Sequence, residues 1–218
     1  MKILICFSFL VPFIAFSQTY NQLDHNGDKQ GYWFKNYDNG KMRYEGQFKD
    51  DIPQGLFRYY YNTGEIRLEK EFFHNGGAAA AHFFYKDGSL KSAGLYVSEL
   101  RDSTWNYYNR DSNLIMSEDY KKGKLHGSTK TFYHTGELYE LKQWFADVLD
   151  GVWHQFFIDG TLKMESGFKN GIRNGEQVYY YPDGSVYYRG FYTNGLKSGV
   201  WEFFTDDGFS DTLINYYE

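Results

Sequence analysis

The chain has 218 residues and a formal net charge of −5, with its charges spread along the sequence. Nucleic acid and anionic membranes select for clustered Lys and Arg, so this distribution argues against both as partners. Aromatic residues make up 22% of the chain, whereas Gly numbers 23 and Pro only 3. This composition favours many short strands joined by Gly turns, because aromatic side chains suit pleated, half-buried surfaces.

The N-terminus resembles an export signal. A charged start is followed by an apolar run over residues 3–16, which is shorter than the roughly 18 residues that a membrane span needs. We interpret residues 1–17 as a signal peptide cleaved near Ser17, with a buried strand or an anchor as the alternative. The one cysteine, Cys6, lies inside this segment, so the mature chain is expected to have no disulfide. We expect a periplasmic, cell-surface or extracellular protein.

Residues 18–30 are predicted to be a lead-in or partial repeat. Within them, Asp24-His25-Asn26-Gly27-Asp28 resembles the start of a calcium-binding loop. The twelfth position of such a loop, where a bidentate Glu belongs, is Lys35. The same residues also fit a turn, and the turn is the favoured interpretation.

Residues 31–218 are predicted to hold eight copies of one 24-residue unit. The register is set by turn glycines that recur at steps of 24 residues, or of 48 where Ser112 takes the place: Gly40, Gly64, Gly88, Gly136, Gly160, Gly184 and Gly208. A second Gly position opens each unit, with Ala79 and Ser103 as its exceptions. Fixed periodicity of this kind is typical of repeat architectures.

Each unit is predicted to be one β-hairpin. Two aromatic-rich runs are separated by a short turn such as Asp-Gly, and a second turn such as Lys-Asn-Gly joins the next unit. On the second strand, Ile66 and Phe72 lie six residues apart, so strand alternation predicts that they point to the same side, opposite Glu69. The predicted fold is all-β: an elongated, single antiparallel meander sheet of about eight stacked hairpins.

The third unit departs from the others. Gly and Ala at residues 76–81 replace both the second turn and the Trp position. Either a neighbouring side chain fills the space, or this patch is a thin hinge in the sheet.

The segment over residues 31–50, Gly-Tyr-Trp-Phe-Lys-Asn-Tyr-Asp-Asn-Gly-Lys-Met-Arg-Tyr-Glu-Gly-Gln-Phe-Lys-Asp, resembles a MORN repeat, and the pattern returns at 151–170. It is most similar to the MORN variant of exported bacterial proteins, whose members are often labelled as antitoxins. The resemblance extends over residues 31–218. It implies an elongated, twisted sheet with a groove, and scaffolding or binding rather than chemistry.

No residue pattern predicts catalysis, a metal or a cofactor. None of the six histidines lies two to five residues from another His or a Cys, as a metal site would need. Carboxylates that could act in pairs, Glu45, Glu69 and Glu165, occupy equivalent repeat positions, which indicates a solvated face or partners for Lys and Arg. Neither a Gly-x-Ser-x-Gly motif nor a phosphate-binding Gly-Lys-Thr is present.

Four tryptophans share one repeat position and are the candidate binding residues: Trp33, Trp105, Trp153 and Trp201. If exposed, they would suit sugar stacking or a protein contact; if packed, they would form core, as Phe57 and Ala81 at the same position favour. We expect a non-catalytic scaffold that binds a protein partner, with an antitoxin or immunity-like role. Glycan or cell-envelope binding through exposed aromatics is the alternative.

Overall fold

A computed structural model describes residues 19–216; the predicted signal peptide, its cleavage point and Cys6 lie outside them. The described residues form β-strands and turns. The strands are β1 Gln22–Leu23, β2 Lys29–Asn36, β3 Met42–Lys49, β4 Ile52–Tyr60, β5 Ile66–Phe73, β6 Ala78–Phe84, β7 Leu90–Val97, β8 Leu100–Tyr108, β9 Leu114–Lys121, β10 Lys124–Phe132, β11 Leu138–Phe145, β12 Val148–Phe156, β13 Leu162–Lys169, β14 Ile172–Tyr180, β15 Val186–Thr193, β16 Leu196–Phe204 and β17 Ser210–Tyr216.

The strands form one open antiparallel meander, which confirms the predicted fold class. Each strand pairs with its neighbours in sequence, from β1–β2 through β16–β17. Strands β2 to β17 are eight hairpins, and β1 lies along the outer edge of β2. Meander neighbours need only tight turns, which is why the chain can be built from so short a unit.

Two kinds of turn alternate along the chain. In the first turn, Tyr37 N donates to Lys41 O at 2.8 Å, Gly40 N donates to Tyr37 O at 2.9 Å, and Gly40 takes a φ of +80°. The second turn has two central residues, such as Asp50 and Asp51, with φ of +52° and +60°. Positive φ at both positions matches the right-handed twist of hairpin strands.

At most junctions between units, the residue at the opening Gly position lies in a β-bulge. At the β3–β4 junction Gln47 pairs with Gln54 and Glu45 with Arg58, so three residues oppose one. Gly55 lies in this bulge with a φ of +62°. Six of the seven junctions between described hairpins carry this bulge. Glycine recurs here because a left-handed backbone is costly for other residues.

A second bulge overturns the predicted strand faces. In β5, Tyr60 pairs with Ile66 but Tyr59 pairs with Leu68, so Arg67 is an extra residue. This extra residue reverses the alternation. Ile66 therefore lies on the same side as Glu69, with which it lines a shallow depression, and opposite Phe72. The prediction that Ile66 and Phe72 share a face was wrong for this reason.

The third unit lacks the bulge at its opening. The β5–β6 register runs without a shift from Phe73–Ala78 to Leu68–Phe83, and the turn takes four residues, 74–77, instead of two. Ala79 thus avoids the positive φ that its Gly counterparts adopt. Ala81 is buried beside Trp105 and Leu68, so a neighbouring side chain does fill the space. The alternative that this patch is a hinge stays a prediction.

Tyrosines of the first turn connect successive hairpins. The hydroxyl of Tyr61 donates to Phe84 O at 2.8 Å, in the following unit. The same bond recurs from Tyr37, Tyr85, Tyr133 and Tyr181, always to the carbonyl 23 residues later. These bonds fix the first-turn edge of the sheet.

Candidate binding surfaces

Most buried side chains of the described sheet lie on one face, here called the aromatic face, which contains Phe57, Tyr59, Trp105, Tyr107 and Trp201. Trp105 and Trp201 are 0% and 1% exposed. Each packs at about 5 Å against an aromatic ring of the preceding strand, Tyr96 or Tyr192. Two of the four candidate tryptophans are therefore core residues, and neither ring can stack on a ligand.

Cations cover the outer side of these rings. Arg101 lies 4.7 Å from the Trp105 ring centre, and Lys197 lies 4.1 Å from that of Trp201. In each case the cation precedes the indole by four residues. A cation over an aromatic face is attracted by the ring quadrupole and keeps its own charge solvated. This arrangement lets a single-layer sheet bury a tryptophan.

The other two candidate tryptophans are half-buried, and their indole nitrogens are occupied. Trp33 Nε1 donates to Gln30 O at 3.1 Å, while Lys29 lies 5.7 Å from the ring. Trp153 Nε1 donates to Glu140 Oε1 at 2.8 Å. The structure does not bring the four tryptophans together, because successive members belong to different hairpins.

The predicted Glu positions lie on the opposite face, where they bind side chains of the sheet. Glu45 accepts hydrogen bonds from the hydroxyls of Tyr32 and Tyr60, and Arg58 bonds to Glu69 at 3.0 Å. Burial raises the pKa of Glu45, but the two tyrosine bonds and the Arg58 charge outweigh it and hold that pKa below its ordinary value. Carboxylates paired in this way are structural partners.

The calcium-like segment is a turn. Asp24 Oδ1 accepts the backbone N–H of Asn26 at 2.8 Å and of Asp28 at 3.0 Å, and Gly27 N donates to Asp24 O. Across residues 19–216, no group of three or more His, Cys, Asp or Glu side chains is placed to hold a metal ion. In the same residues, no helix is long and apolar enough to cross a membrane.

Exposed apolar side chains mark the edge of the sheet that carries the second turns. They flank these turns, and we call them the turn ridge: Ile52, Phe73, Val97, Leu100, Phe145, Val148, Ile172 and Leu196. Phe145 and Leu196 are the most exposed, at 64% and 75%. Ridge residues repeat at roughly 10 Å intervals, because consecutive second turns lie two strands apart. Lys121 and Lys124 interrupt the ridge at the fourth turn.

The ridge was missed in the sequence because its residues contact so little. Ile52 lies against the next unit's turn glycine, Gly76, and Leu100 lies in the same way against Gly123. A large aliphatic residue directly after five of the seven second turns in the described chain was the available signal: Ile52, Leu100, Val148, Ile172 and Leu196.

Comparison with known proteins supports the repeat class. The profile of the family described as "MORN repeat variant" matches residues 29–50 and 173–194. No curated protein matches the sequence. A solved structure titled "Crystal Structure of TarM" is similar at 12% identity and a TM-score of 0.32, over 54% of this chain and 20% of that chain. The chain thus spans about a fifth of that protein, and a similarity this weak carries no argument. Two of the hairpin segments are MORN-like, and the structure repeats their architecture along the sheet.

Proposed function

We propose that this protein is a non-catalytic repeat scaffold that binds a protein partner along its turn ridge. The observation that carries the proposal is the recurrence of aliphatic and aromatic side chains, 37% to 75% exposed, on one edge of the sheet. Exposed apolar residues in an array, bordered by charged turns, are typical of protein interaction sites. The opposite edge is closed by the turn tyrosines and presents mostly polar turn residues.

The alternative, glycan binding through the tryptophan positions, is not favoured. Trp105 and Trp201 are buried, and a cation lies over each ring. A sugar would have to displace both the cation and the packing of the neighbouring rings.

The narrower form of the proposal concerns place and role. The apolar run over residues 3–16 supports export, and the resemblance to antitoxin-labelled MORN variants supports an immunity-like role in which the ridge covers a toxin. N-terminal sequencing of the protein from fractionated cells tests the first point. A mature chain that begins near Gln18 in an exported fraction is expected, and an unprocessed cytoplasmic chain would contradict it.

Site-specific photo-crosslinking in the protein's own cells tests the ridge. A photoreactive residue replaces Leu100 or Val148 on the ridge, or Asn39 or Asp87 on the first-turn edge as matched exposed controls. The proposal predicts one discrete cross-linked partner from both ridge positions and none from the controls. Equal products from both edges, or none from the ridge, would refute it.

A further inference from the structure

A wide cleft lies beside the second turns in the middle of the sheet, formed by β9 to β13. It has a volume of about 710 Å³ and is lined by Asp119, Gln143, Trp144, Phe145, Asp150 and Asn170, among others. This size is within the range of small-molecule sites. The cleft is separate from the buried tryptophans and shares only Phe145 with the turn ridge.

Several polar groups in the cleft have unused bonding capacity. Gln143 Oε1 accepts from Val152 N at 3.3 Å, and Asp150 Oδ2 accepts from Asn170 N at 3.0 Å. Among the described residues, the Gln143 amide nitrogen, the second Asp150 oxygen and the Asn170 amide have no partner. The cleft therefore offers donors and acceptors side by side.

Asp119, in contrast, is already engaged. It accepts Ser128 N at 3.0 Å, Ser128 Oγ at 2.7 Å and Thr104 Oγ1 at 2.8 Å. Burial raises the pKa of Asp119, but these bonds outweigh it and hold the pKa below its ordinary value. None of the side chains that line the cleft is Lys or Arg. An anionic ligand would therefore meet two carboxylates in the lining, while Lys130, whose charge also lowers the pKa of Asp119, is not among the lining residues.

Aromatic rings form the apolar part of the cleft. Phe145 is 64% exposed, and its ring centre lies 5.0 Å from that of His126. Trp144 also contributes to the lining, but strand alternation places its indole on the face opposite Gln143 and Phe145, so Phe145 is the aromatic ring that a ligand can reach.

We propose that this cleft binds a neutral oligosaccharide, with a pyranose ring on Phe145 and its hydroxyls bonded to Gln143, Asp150 and Asn170. The apolar face of a sugar suits an aromatic ring, and hydroxyls both donate and accept, as the free amides and the carboxylate oxygen require.

Calorimetric titration of the full chain with maltotetraose, tetra-N-acetylchitotetraose and, as the anionic contrast, tetragalacturonic acid tests the proposal. At least one neutral probe should bind with a dissociation constant of about 1 mM or tighter, and the galacturonide more weakly. Asn170→Gly removes the amide but keeps a residue that tolerates the φ of +52°; Asn194→Gly is the same change one unit later, outside the cleft.

Asn170→Gly should lower the affinity for the neutral sugar about fivefold, the effect of one lost hydrogen bond. Asn194→Gly should leave that affinity unchanged. Binding of neither neutral probe, tighter binding of the galacturonide, or equal loss in the two Gly variants would overturn the proposal. Both Gly variants leave the turn ridge intact, so partner cross-linking at Leu100 is scored independently.

Discussion

The indole of Trp105 occupies the space that a side chain at Gly94 would need: a Cβ added to Gly94 would lie 2.2 Å from Trp105 Cδ2. The same relationship joins Gly46 to Phe57 and Gly190 to Trp201, always eleven residues apart. Where the second unit meets the third, Lys70 and Ala81 stand in these positions, so the larger side chain has moved to the other strand. The side chains at these two positions therefore compete for the same space.

Gly94→Ala is therefore expected to destabilise the protein by about 1–3 kcal/mol, because overpacking forces the ring or the backbone to move. Urea denaturation measures the effect. The double variant Gly94→Ala, Trp105→Leu is the control and should lose less than the sum of the two single changes. Additive losses would mean that the two residues do not share the space.

Arg101→Ala should cost about 1–2 kcal/mol, because the guanidinium covers Trp105 and also donates to the Tyr107 and Tyr120 hydroxyls. Thermal unfolding checks it. Arg110→Ala is the matched control, since Arg110 also lies over a ring but is 71% exposed in its ion pair with Asp87. Such surface pairs contribute about 0–1 kcal/mol. Equal losses in both variants would contradict the covering role.

Phe157→Tyr should stabilise the sheet by about 0.5–1.5 kcal/mol. Phe157 holds the first-turn position at which five other units have a bonded tyrosine, and its new hydroxyl would reach the carbonyl of Tyr180, 23 residues later. The reverse change, Tyr61→Phe, should destabilise by a similar amount. Denaturation midpoints that move in the same direction for Phe157→Tyr and Tyr61→Phe would contradict a stabilising role for these tyrosine bonds.

Stability should fall as the pH rises from about 10 towards 12. Burial and the hydrogen bonds to Glu45 and Glu165 raise the pKa of Tyr32 and of Tyr180 to about 12, above the ordinary 10.0. In this window the unfolded chain loses protons that the folded chain keeps, so the free energy of unfolding decreases. Urea denaturation midpoints measured at about pH 8, 10 and 11 report this decline in the free energy of unfolding. Tyr32→Phe should flatten the decline; an unchanged slope would be evidence against the raised pKa.

Within the Gly/Ala patch at residues 76–81, the amides of residues 78–81 should exchange as slowly as those of the flanking strands. Ala78, Ala79 and Ala81 are buried, and β6 pairs with both β5 and β7. Native-state hydrogen exchange reports the opening of each segment separately. Faster exchange confined to this patch would establish it as a hinge.

The repeat length and the meander could be predicted because turn glycines and aromatic positions keep one 24-residue register, with Ser112 in place of one turn glycine. The side of the sheet on which Ile66 lies could not, because one extra residue at Arg67 reverses the alternation and leaves no mark in the 24-residue period. Packing of the tryptophan position was the favoured expectation, but the way in which Trp105 is buried could not be predicted. Its burial depends on Gly94 of the neighbouring strand β7 and on the position of Arg101 over the ring, and both contacts are visible only in the structure.

The affinity of the cross-linked partner, once purified, for a ridge variant is the most direct test of the scaffold proposal. Leu100→Ser with Val148→Ser removes two exposed apolar contacts from the ridge, and Asn39→Ser with Asp87→Ser is the control on the opposite edge. We predict that the ridge variant weakens binding by about thirtyfold or more, as loss of central apolar contacts does, and that the control binds like the unchanged chain. Equal affinity for all three proteins would contradict the account.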